Sequence, residues 1–145
     1  MSDKKITVTF VCTGNTCRSP MAEAMFKALT KENCDKILVQ SRGLAANEGE
    51  PASPHAIAVM EEMGLSLNNH KATPLDLYDL RETDLFVCMT TSHRNALLRY
   101  GVDEQKLEVL NVSDPFGGTK QDYIECAEQI KSKLGKLYEL IREKI

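Results

Sequence analysis

The stretch VCTGNTCRSPMAE, Val11 to Glu23, sets two cysteines and an arginine around a glycine, where one residue pattern gives way to another. Ahead of it, KITVTFVC (Lys5 to Cys12) is β-branched and aromatic, the composition of a strand. From Ser19 onward, Met21, Ala22, Met25, Phe26 and Leu29 recur at helical spacing, with Pro20 in the first turn, where proline is tolerated. A strand that turns tightly into a helix opens a βαβ unit.

The same alternation continues. KILVQS (Lys36 to Ser41) reads as a second strand, and RGLAANEGEPAS as loop. Pro54 opens a helix carrying Ile57, Val59, Met60 and Met63, which Gly64 stops. DLFVCMT (Asp84 to Thr90) is nearly all apolar, as a strand buried on both faces requires. Ser92 is a candidate cap for the next helix, which ends before Gly101. KLEVLNV is a fourth strand, SDPFGGT a loop, and Tyr123 to Ile145 a long amphipathic helix with Ile124, Ala127, Ile130, Leu134, Leu137 and Ile141 on one face. The order predicts an α/β three-layer sandwich: a parallel sheet with helices on both faces, as one domain over 1–145. Ligands of such sheets bind beyond the carboxyl ends of the strands, where residues 12–18 fall.

The loop from Cys12 to Arg18 is suited to a tetrahedral anion. Gly14 and Asn15 tolerate left-handed backbone, so successive N–H groups can turn inward as a nest. The helix N-terminus adds unpaired donors and partial positive charge. Arg18 supplies a planar fork for two phosphate oxygens. A thiol at Cys12 sits inside that field, which favours the nucleophilic thiolate. The leaving group then needs a proton, and Asp114 in SDPFGG, on the same sheet edge, is the candidate acid. The bland reading is a structural cysteine in a common strand-to-helix turn, with Asp114 a turn former; no Walker motif is present.

Cys12, five intervening residues, Arg18 and Ser19, with DPFGG late in the chain, closely resemble the low-molecular-weight protein-tyrosine-phosphatase family along the whole sequence. The resemblance implies a four-stranded parallel sheet and hydrolysis of phosphorylated proteins through a phosphocysteine at Cys12. It makes Arg18 the phosphoryl clamp, Ser19 the thiolate's hydrogen-bond partner, and Asn15 the residue that holds the loop. Asp114 becomes the acid that later activates water. Phosphate is bound over Thr13, Gly14, Asn15, Thr16, Cys17, Arg18 and Ser19, and inorganic phosphate is the product. Cys17 matches the family cysteine that forms a reversible disulfide with Cys12. Thr16 and Phe116 stand where many members carry a bulky aliphatic residue and a tyrosine, a pattern similar to the protein-arginine-phosphatase branch; Thr16 fitting the loop without selecting substrate is the plain alternative. Arg42 departs from the small residue usual there. It either charges the cavity mouth or faces solvent. His70 and Lys71 are read as structural.

Two rival functions fit parts of the pattern. A thioredoxin-coupled arsenate reductase shares the loop but needs three relay cysteines, and the residue seven beyond Cys88 is Asn95. A silent phosphoprotein-binding module would need neither nucleophile nor acid. The net charge of −3 argues against a general nucleic-acid binder. No apolar run spans a bilayer and MSDKKITVTF has no signal-peptide core, which predicts a cytoplasmic protein. Cys34, Cys88 and Cys126 are expected to be small buried hydrophobes, and no cysteine or histidine spacing predicts a metal; no cofactor is expected.

Overall fold

A computed structural model describes residues 4–145. The expectation of no signal-peptide core in MSDKKITVTF falls partly on residues 1–3, which lie outside the described residues. Four strands form one parallel sheet in the order β2-β1-β3-β4, namely β1 (Ile6–Cys12), β2 (Ile37–Gly43), β3 (Leu85–Cys88) and β4 (Leu107–Val109). Five α-helices accompany them: α1 (Arg18–Leu29), α2 (Pro54–Glu62), α3 (Leu77–Glu82), α4 (Thr91–Arg99) and α5 (Lys120–Arg142). The chain winds from β1 outward to β2, then crosses back to β3 on β1's other side. That reversal opens a crevice at the carboxyl end of β1.

The period-2 geometry of β1 divides the core in two. Val8, Phe10 and Cys12 face a cluster with Met21, Phe26, Met60, Ile130 and Leu134 of α1, α2 and α5. Val11 faces the other way, against Phe86, Cys88, Leu97 and Leu107, with Leu80 of α3 packed alongside. On the larger face Phe10, Phe26 and Tyr138 meet edge to face, at centroid distances of 5.5 and 6.1 Å. The apolar stripe of α5 runs through Tyr123, Ala127, Ile130, Leu134, Leu137 and Ile141, all buried. Among the described residues no helix is long and apolar enough to cross a membrane.

Several boundaries differ from the sequence reading. The N-cap of α4 is Thr90, not Ser92, because His93 turns back and its ring accepts the Thr90 N–H at 3.2 Å. Helix α5 starts three residues before Tyr123, where Thr119 accepts the Asp122 N–H and Asp122 accepts the Thr119 N–H. The short α3 has no apolar periodicity to announce it; a reciprocal Asp76–Asp79 cap starts it. Cys34 is exposed, since it follows a 3₁₀ turn beyond α1 rather than lying in an element; Cys88 and Cys126 are buried as expected. Gly64 has φ +78 and ends the α2 segment, as its sequence position implied.

Candidate active site

Strand β1 delivers Cys12 to the crevice, and the next residues curl around its sulfur. The Asn15 N–H points at Cys12 Sγ from 3.3 Å, and Ser19 Oγ lies 2.8 Å from it. Asn15 takes φ 57, the left-handed conformation its side-chain type tolerates. That conformation is fixed from four directions. The Asn15 amide donates to Ser19 Oγ (2.8 Å) and Ser41 Oγ (2.9 Å), its oxygen accepts the Thr73 N–H (2.9 Å), and His70 Nε2 donates to its carbonyl (2.7 Å). The Thr73 N–H can only donate, so the orientation of the amide is determined. Ser19 Oγ therefore accepts from Asn15 and has its own hydrogen for Cys12 Sγ. Ser41 passes its hydrogen on to Glu23 at 2.6 Å.

Helix α1 begins at Arg18 with no side-chain cap and no acidic residue in its first turn, which leaves its first N–H groups for an anion. Arg18 is 4% exposed, and its Nη1 donates to the Val112 carbonyl at 3.0 Å. Its Nη2 stands 3.6 Å from Asp114 Oδ2, whose side chain is half exposed. Together Cys12, Thr13, Gly14, Thr16, Cys17, Arg18, Ala45, Asn47, Glu50, Asp114 and Phe116 enclose a cavity of about 260 Å³, the right scale for a phosphoryl group and its first substituent. Of the residues predicted to bind phosphate, Asn15 and Ser19 lie fully buried behind the loop instead of lining this cavity. Cys17 lines it and packs its sulfur 3.3 Å from Tyr123 Oη and 3.6 Å from Ser53 Oγ. Burial first, and the Cys17 contact second, push Tyr123 up to about 12, so it stays a neutral phenol.

Three residues escaped the sequence reading. His93 accepts at Nδ1, so its proton is on Nε2, which donates to Thr13 Oγ1 at 2.9 Å. Burial and, next, the Arg18 charge lower its pKa to about 4, with Asp114 offsetting part of the shift, so the ring is neutral. Gly43 closes β2 directly behind the loop; a Cβ there would lie 2.7 Å from the Thr13 carbonyl and 3.1 Å from Asn15 Cβ. Glu50 reaches the cavity from the loop between β2 and α2. Only the glycine carried a signal, standing at a strand end two residues after Ser41. Arg42 proves neither a mouth charge nor a solvent-facing residue: its Nε donates to the buried Asp79 at 2.9 Å, tying β2 to α3. Cys88 does not line the cavity, and burial raises it to about 12. Among the described residues no three of His, Cys, Asp and Glu converge as a metal cluster would.

The comparisons agree with this geometry. The family model described as low molecular weight phosphotyrosine protein phosphatase matches residues 7–145. The chain is 33% identical to the protein-arginine-phosphatase of Bacillus subtilis, over 94% of this chain and 97% of that protein. It is 35% identical to the low molecular weight protein-tyrosine-phosphatase PtpB of Staphylococcus haemolyticus, over 90% and 96%. Among solved structures, a cysteine-to-serine mutant of the YwlE arginine phosphatase with a phosphorylated active-site serine superposes with a TM-score of 0.87 at 32% identity, covering 94% of this chain and 96% of the other. A sulfur at the end of β1 that meets the Asn15 N–H and the Ser19 hydroxyl and shares its cavity with Arg18, within a family match that begins in that strand, leads to one assignment: the chain belongs to the low molecular weight phosphotyrosine protein phosphatase family.

Proposed function

We propose that the protein is a phosphoprotein phosphatase that hydrolyses phosphotyrosine or phosphoarginine through a phosphocysteine at Cys12. The observation that carries the reading is the convergence of Cys12, Arg18 and Asp114 on one cavity, with two donors already aimed at the sulfur. Cys12 Sγ attacks phosphorus, and an S–P bond forms as the P–O or P–N bond breaks. Asp114 gives its proton to the departing oxygen or nitrogen. The loop N–H groups and Arg18 hold the equatorial oxygens as charge develops. Water then attacks phosphorus, the Asp114 carboxylate takes its proton, and the S–P bond breaks to release inorganic phosphate.

Catalysis by this route accounts for keeping both nucleophile and acid, which a phosphoprotein-binding module would not need. The relative captured with phosphate on its active-site serine supports the same nucleophilic position. Cytoplasmic residence belongs to the reading, because all five cysteines are unpaired and a reducing compartment keeps them so. Under peroxide, the thiols of Cys12 and Cys17 lose two electrons to form a disulfide while the peroxide is reduced to water. The test of the function is kcat/KM on phosphotyrosine, phosphoarginine and phosphoserine peptides of one flanking sequence. Turnover of one or both of the first two is expected, with phosphoserine poor because Cys12, 3% exposed, sits too deep for a short side chain. Equal rates on all three, or activity retained in Cys12→Ala, would refute it.

A further inference from the structure

We infer that Glu50 determines specificity at this site, favouring a phosphoryl group carried on a cationic side chain, an N-phosphoguanidinium, over one carried on a neutral phenol. The inference rests on the phosphatase reading and deepens it. Among the residues lining the cavity, Arg18 is the one cation, and Asp114 and Glu50 are the carboxylates. Arg18 lies at the floor, 4% exposed and 3.6 Å from Asp114. To act as an acid Asp114 carries a proton, so in the reacting state Glu50 is the remaining anion at the mouth.

The Glu50 carboxylate is uncompensated. Among the described residues its side chain takes one hydrogen bond, from Asn47 Nδ2 at 3.3 Å, and no ion pair. Its backbone, in contrast, is fastened. The Ala72 N–H donates to the Glu50 carbonyl at 2.7 Å, the Glu50 N–H to the Asn47 carbonyl at 3.1 Å, and Pro51 bridges to Lys71. A fixed negative charge at the entrance repels a phosphate dianion unless the group bearing the phosphate brings its own positive charge. In phosphoarginine that charge lies one bond from phosphorus, just outside the loop, and a guanidinium offers a carboxylate planar donors. A tyrosine ring gains nothing from Glu50. Phe116, 73% exposed at the rim, does not discriminate, since its face accepts a ring or a guanidinium alike.

The experiment compares wild type, Glu50→Gln and Glu50→Lys on phosphoarginine and phosphotyrosine peptides of identical flanking sequence, with inhibition by inorganic phosphate measured alongside. For an exposed charge, Glu50→Gln should lower kcat/KM for phosphoarginine by about two- to fivefold, and the effect should shrink in high salt. Phosphotyrosine turnover and phosphate affinity should stay level or rise, and Glu50→Lys should widen the split. Losses of equal size on both substrates would mark Glu50 as merely structural and overturn the inference, as would unchanged ratios. Wild type that turns over phosphotyrosine alone overturns it too, with the phosphatase reading left standing. Wild type that turns over neither substrate brings down that reading itself.

Discussion

The loop from Cys12 to Ser19 and the loop from Ser113 to Gly118 face each other across one cavity and are built in opposite ways. In the first, Asn15 alone makes hydrogen bonds to Cys12, Ser19, Ser41, His70 and Thr73, drawing on β1, β2 and the segment before α3. In the second, Asp114 Oδ1 accepts the nearby Phe116 N–H at 3.0 Å, the Gly118 N–H closes on the Pro115 carbonyl at 2.8 Å, and Phe116 stands in solvent. Arg18 joins them, anchored to Val112 just ahead of the acid loop. The contrast fits two tasks. A nest for a charged transition state must be preorganised, since its dipoles gain by not having to turn during the reaction. An acid that later becomes a base must exchange with water.

The contrast can be broken at either loop. Asp114→Asn should lower kcat on phosphopeptides by about 10²- to 10⁴-fold, because the leaving group loses its proton donor, while the thermal midpoint stays near that of wild type. Steady-state kinetics beside a thermal melt read both. A loss of stability comparable to that of a core variant would mean that the acid loop is as integrated as the nucleophile loop.

Asn15→Ala should do the reverse in kind, destabilising the fold by about 2–4 kcal/mol as well as slowing turnover, because it removes a buried amide, orphans the part-buried Thr73 N–H and frees the buried Ser19 and Ser41 hydroxyls. Urea unfolding measures the first effect. A variant as stable as wild type would deny that the Asn15 network holds the loop.

His93 gives the smallest and most pH-specific effect. Its folded pKa, about 4, lies below the ordinary histidine value of 6.5, so the unfolded chain binds the extra proton between those values. Stability is therefore full above about pH 6.5 and falls as pH drops towards 4, by about 2–3 kcal/mol from this group. In His93→Gln that part of the slope should vanish, and the urea midpoint followed across this range reads it. An unchanged slope would place the acid sensitivity elsewhere.

What could be read from the sequence was local. The KITVTFVC strand, the glycine-bearing turn and the amphipathic α5 each follow from a pattern within a few turns of chain, and Cys12, Arg18 and Asp114 follow from their loops. What could not be read depends on distant partners. Arg42 looked like a surface charge because Asp79 lies 37 residues away along the chain. His93 could be read only as a histidine without a metal-ligand partner, because Thr13 is 80 residues distant. Glu50 sits in a polar loop that any soluble protein could carry, and only the return of that loop to the cavity gives it meaning.

The central claim is that Cys12 carries the phosphoryl group. Wild type should be mixed with a phosphotyrosine or phosphoarginine peptide, quenched in acid within a turnover, and its own peptides weighed by mass spectrometry. The account predicts one phosphoryl group, on Cys12, absent from Cys12→Ala. Turnover with no phosphoryl group trapped on Cys12, or with the group found on another residue, would contradict it.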